Sequence, residues 1–260
     1  RPIETSICGS WGNLEATDRA VNEHDNTVAA MEWAAATDRP LHAALGWSRN
    51  SSVMGLMGET PRWVHLIDLD YPDATRGEQA TLLAMDAIMA LSLKREASVW
   101  ARVRRKGQDL FDAGIRDDDL FLALGTIEPH LYDGETPSRI HEYLAADPAS
   151  HTVAQTTLRW AAGKVAVVDH RLEDALAEFE KGLSLRPENL VTTNCGFELS
   201  YWLACLGRHR EAAEAASSVP RMVGSNMDLS TLAHAASQIG STSTDAAIDL
   251  AHSAQLEVTG

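Results

Sequence analysis

Residues 171–178, Arg171-Leu-Glu-Asp-Ala175-Leu-Ala-Glu178, and residues 208–215, Arg208-His-Arg-Glu-Ala212-Ala-Glu-Ala215, decide the fold. They align at a period of 37 residues, within the range of stacked helix-turn-helix repeats. Each copy resumes a helical pattern that has just been interrupted. Before the first, Trp160, Ala162, Gly163 and Ala166 form a small-residue helix face, and His170–Arg171 breaks it. Ala175, Phe179, Gly182 and Leu183 then continue on a second helix that stops at Pro187. The second hairpin uses Leu199, Leu203 and Leu206, turns at Gly207–Arg208, resumes at Ala212 and Ala216, and stops at Pro220. Small residues matter here because antiparallel helices joined by a short turn approach closely only where neither carries a bulky side chain.

Outward from this pair the same punctuation recurs. Stops at Pro72, Gly114, Pro148, Pro187 and Pro220 lie 42, 34, 39 and 33 residues apart, a spacing that suits hairpin units better than a compact bundle. Residues 1–9 carry no period and read as a frayed opening segment, and one helical-repeat domain is expected over residues 10–260, with its best repeats at 156–220. Helices are predicted from Ser10 to His24, from Asp25 or Asn26 to Asp38, from Leu41 to Met57, and from Thr60-Pro61 to Pro72. Gln79–Leu93 is apolar on nearly all sides and is expected between two neighbours. Ala97–Ala113 sets Val99, Trp100, Val103, Leu110 and Phe111 against Arg102, Arg104, Arg105 and Lys106, with Gly114 as its C-terminal stop. That basic run reads as a solvated face, with an acidic partner or a phosphate as the alternative. Asp117-Asp118-Asp119 caps a helix through Leu131, and Thr136-Pro137 opens another that ends at Asp147-Pro148. Beyond Pro220, helices are predicted at Leu229–Ile239 and Thr244–Leu256. No run of alternating β-branched residues calls for a sheet, so the fold class is all-α.

Two resemblances refine this. Ala175-x-x-x-Phe179-x-x-Gly182, with a Pro eight residues past the Phe, resembles a tetratricopeptide repeat and implies a right-handed superhelix of such hairpins. Trp11-x-x-Leu14, Glu23-His24-Asp25-Asn26, Ala29-Ala30, Trp33-Ala34, Ala43-Ala44-Leu45 and Gly58 before Trp63 resemble the segment that opens the helical-repeat region of bacterial signal-transduction ATPases. These are multidomain regulators, including LuxR-family activators and cyclase-linked relatives, in which an NTPase core and a winged helix precede the repeats. That likeness implies a cytoplasmic transcription regulator, with NTPase and winged-helix domains as neighbours in the parent chain. The first residue is Arg, not Met, so an excised piece of something longer is expected.

Chemistry-bearing motifs are sparse. There is no Gly-x-x-x-x-Gly-Lys-Ser/Thr phosphate loop, His-Glu-x-x-His, Cys-x-x-Cys or Gly-x-Ser-x-Gly, and His130, His141, His151 and His170 lack metal-ligand spacing. Cys195 and Cys205 lie ten residues apart on one predicted helix, about 15 Å along its axis, too far for a disulfide. With Cys8 as the third, this usage suits a reducing compartment. No catalytic residue, metal or cofactor is therefore expected. Function is expected to be binding, of a protein segment or small effector in a concave groove formed by the first helices of successive hairpins. Arg159, Lys164, Asn194, Glu198 and Tyr201, on first helices and not needed for hairpin packing, are the expected groove-lining side chains. A free-standing repeat adaptor and an enzyme with an unrecognised site in a helical body stand as alternatives.

Composition bounds partners as well. Among 260 residues, 45% are apolar, without the run of about 18 that a membrane span requires. The formal net charge of −15 repels phosphate backbones. The isolated chain should accordingly show no submicromolar complex with duplex DNA at physiological salt. A fluorescence-anisotropy titration that finds one, weakening as salt rises, would contradict this reading.

Overall fold

A computed structural model describes residues 21–51, 60–93, 96–146, 152–185 and 190–218. Among them no strand occurs, and the chain is all-helical. The expected helices at 10–20, 229–239 and 244–256, the far half of the 41–57 helix, and Pro148, Pro187 and Pro220 lie outside the described residues. Two compact units divide at Leu158 and Arg159.

In the first unit α1 (His24–Ala36) and α2 (Pro40–Arg49) form a hairpin. Pro40 occupies the first helical turn of α2, where its missing N–H costs nothing. A Cβ on Gly46 would lie 3.1 Å from Met31 Cγ, so the hairpin is close there, and Trp47 is fully buried beside it. The helix starts ahead of the expected cap at Asp25 or Asn26: Glu23 holds the N-cap position without a side-chain bond to a helix N–H, its carboxylate accepting from Asn26 Nδ2 at 2.7 Å, and Asp25 falls in the first turn. Short helix α3 (Thr60–Trp63) tightens into a 3-10 turn over Val64–Asp68.

Next come α4 (Arg76–Ser92), α5 (Ala97–Asp112) and α6 (Asp118–Ile127), followed by a 3-10 turn at Glu128–Leu131 and α7 (Thr136–Ala146). Helix α4 starts three residues earlier than expected because Thr75 and Glu78 close a reciprocal capping box. It packs against α2, α5 and α6, as its all-round apolar surface required. Every residue of α6 from Asp119 to Ile127 is buried, which makes α6 the centre of this unit. Asp117 caps it, accepting from Asp119 N at 2.9 Å. Of the run expected to cap the helix, Asp119 is fully buried and accepts from Thr81 Oγ1 at 2.7 Å.

In the second unit the repeat shows in the hydrogen bonds. Helix α8 (Thr152–Val168), shared between the units, ends where Asp169 N donates to Val165 O at 3.0 Å, His170 N to Val167 O at 3.0 Å and Arg171 N to Ala166 O at 2.8 Å. Thirty-seven residues on, α10 (Leu190–Cys205) ends the same way, with Leu206 N on Trp202 O, Gly207 N on Ala204 O and Arg208 N on Leu203 O at 3.1, 3.0 and 2.9 Å. Both turns pass through a left-handed residue, His170 at φ 60° and Gly207 at φ 76°. Helices α9 (Leu172–Ser184) and α11 (His209–Ser218) follow. Each opens on one ion pair spaced i,i+3, Arg171 with Asp174 at 2.8 Å and Arg208 with Glu211 at 2.7 Å. Ala175 and Ala212 are both fully buried, as their close-contact role demands.

The two turns yield a pair of opposite expectations. A β-carbon in the left-handed region is strained, so His170→Gly should stabilise the chain by about 0.5–1 kcal/mol, while Gly207→Ala should destabilise it by about 1 kcal/mol. Urea-denaturation midpoints moving in the same direction for both would show that the turns are not equivalent.

Candidate functional site

Helices α4 and α5 run antiparallel, pinned at both ends. Arg76 Nη1, at the start of α4, donates to Ala113 O just past the end of α5 at 3.3 Å, and Arg102 Nη2 donates to Asp86 Oδ2 at 3.0 Å near the other end. Between these pins lies a cleft of about 440 Å³, closed on one side by the segment from Ile67 to Pro72. That segment is held down by Tyr71, whose hydroxyl donates to Leu66 O at 2.7 Å. Partial burial pushes the Tyr71 phenol up to about 12, so it is a neutral donor at any ordinary pH.

The cleft floor is apolar because the inner faces of α4 and α5 are apolar: Leu82 and Leu83 come from the first, Leu110 from the second. Lys106 and Asp109 border it from α5 and Asp70 from the closing segment. All three are exposed, and none makes an ion pair among the described residues. The result is an amphipathic recess with both signs of charge at its rim, of a size suited to a small ligand. Among the described residues no group of three His, Cys, Asp or Glu side chains is placed to hold a metal ion.

The basic run on α5 is thereby resolved residue by residue. Arg102 holds Asp86, Lys106 borders the cleft, and Arg105 is exposed. Arg104 points into a second constellation around Glu128, whose carboxylate is fully buried. Arg139 forks onto it, with Nε 3.1 Å from Oε1 and Nη2 3.0 Å from Oε2. Tyr143 Oη donates to Gln108 Oε1 at 2.7 Å and lies 3.3 Å from Glu128 Oε1, and its own pKa is raised, first by burial and then by the Glu128 charge. Asp133 bridges the two arginines, accepting from Arg104 Nη1 and Arg139 Nη2 at 2.9 Å each, and it caps α7 by accepting from Glu135 N and Thr136 N at 3.0 Å. Through these contacts the network ties α5, the 3-10 turn and α7 into one arrangement.

The expected groove residues fall on α8 and α10. Lys164 and Glu198 meet as an ion pair at 2.7 Å, and Glu198 also accepts from Trp202 Nε1 at 3.1 Å. Arg159 pairs with Glu178 at 2.7 Å, and Glu178 is half-buried between it and Lys181. Asn194 is half-buried. Tyr201 is 41% exposed, stacked on Phe197 with ring centroids 6.1 Å apart, and the neighbouring Cys205 raises its pKa. The charges in this set thus serve to join helices. Of the cleft rim, Lys106 was read only as a member of the basic run, and Asp70 and Asp109 were not singled out in the sequence; the reciprocal Thr75-x-x-Glu78 cap, readable in advance, is the signal that marks where its α4 wall begins.

No family model, curated protein or solved structure matches the chain.

The acid network has a pH signature. Partial desolvation opposes ionisation of Asp133, but the Glu135 N–H, the Arg139 guanidinium and the Thr136 hydroxyl outweigh it and hold this carboxyl at about 2, below its ordinary 3.8. A depressed carboxylate contributes stability that is present above its unfolded value and lost as pH falls through its folded one, here between roughly pH 4 and 2. The stability gap between wild type and Asp133→Asn should be constant above pH 5 and close by pH 2. A gap that stays open at pH 2 in urea titrations would remove the ion-pair account.

Proposed function

We propose that this chain works by binding, as a non-catalytic sensor or scaffold built from a right-handed superhelix of tetratricopeptide-like hairpins. The observation that carries it is the α4–α5 cleft: an apolar floor with unpaired charges of both signs at its rim, set between two helices pinned at each end. The repeated turn register supports the tetratricopeptide-like part, since the hydrogen bonds closing α8 and α10 recur at 37 residues. The parent we favour is a cytoplasmic bacterial transcription regulator of the signal-transduction ATPase type. Its support is the likeness at residues 11–70, in which Ala34, Ala43, Ala44, Leu45 and Trp63 serve as core residues of the first hairpins. In such a parent an effector or protein segment bound to the repeats would shift the regulator between resting and active states, to the extent that it binds one state more tightly.

The coding sequence upstream of Arg1 tests the regulator reading at once. An ATP-binding core with a phosphate loop is expected there, together with an ATPase rate in the full-length protein that falls or rises when residues 60–146 are replaced by a flexible linker. A start codon immediately before Arg1 would favour a free-standing adaptor, and an ATPase rate indifferent to that replacement would overturn the sensor role.

A further inference from the structure

We draw no further inference here: the strongest candidate, the α4–α5 cleft closed by residues 67–72, belongs to the site already described, and its cations Arg76 and Lys106 mix with the anions Asp70 and Asp109 around the apolar floor, so the lining singles out no class of ligand.

Discussion

Phe179 needs a place on the opposing helix where no side chain begins, and Gly163 supplies it. A Cβ at position 163 would lie 2.3 Å from Phe179 Cε1, closer than atoms can come, so α8 and α9 meet at this separation only because that carbon is missing. The same vacancy explains why the turn between them is so short. Helices this close need a reversal of a few residues, and the left-handed His170 provides one that also satisfies the last carbonyls of α8. At the equivalent positions of the next hairpin stand Ser200 and Ala216, both buried. The ring has gone and a hydroxymethyl has arrived opposite it, so volume is exchanged across the contact while the backbone register stays.

Close approach recurs elsewhere on other residues. Gly107 on α5 faces Leu124 Cδ2, with a would-be Cβ 2.7 Å away, and Gly182 on α9 faces Cys195 Sγ at the same distance. Glycine in a helix interior is intrinsically unfavourable by up to about 1 kcal/mol, so its use at these contacts is a packing choice. Packing alone does not hold the first unit, however. There the buried Glu128, held by the Arg139 fork, sets the position of the turn that leads into α7. Apolar contacts define how near the helices lie, and the ion network defines which turn meets which helix. The cleft lies where α4 and α5, tied together by Arg76 and Arg102, present Leu82, Leu83 and Leu110 toward the Ile67–Pro72 segment.

The hairpins of the second unit were legible because their determinants are local. Gly207, the Ala175 and Ala212 positions and the 37-residue alignment all lie within a few residues of the turns they govern. Glu128 was illegible for the opposite reason. Nothing near Pro129 and His130 marks a buried charge, and its partners Arg139 and Arg104 arrive from 11 residues after and 24 residues before it. Lys106 was hidden inside a basic run whose members have separate fates, since a helix wheel separates a charged face from an apolar one but cannot say which charges meet acids on a neighbour. Lys164 and Glu198 were read as ligand-facing for want of a packing role, yet they are each other's partners across 34 residues of sequence. Local chemistry finds turns and caps; pairings between elements require the fold.

The most direct test of the claim that α8–α9 and α10–α11 are two copies of one packing unit is a double-mutant cycle that transplants the second copy's pair into the first. Gly163→Ser in the wild-type background should overpack the Phe179 ring and lower stability by about 1–3 kcal/mol. In the Phe179→Ala background, itself destabilised by about 3–5 kcal/mol, the same serine should fill part of the vacated space, cost under about 0.5 kcal/mol or stabilise, and give a coupling energy of at least about 0.5 kcal/mol. Chemical-denaturation free energies in which Gly163→Ser costs the same in both backgrounds would contradict the account.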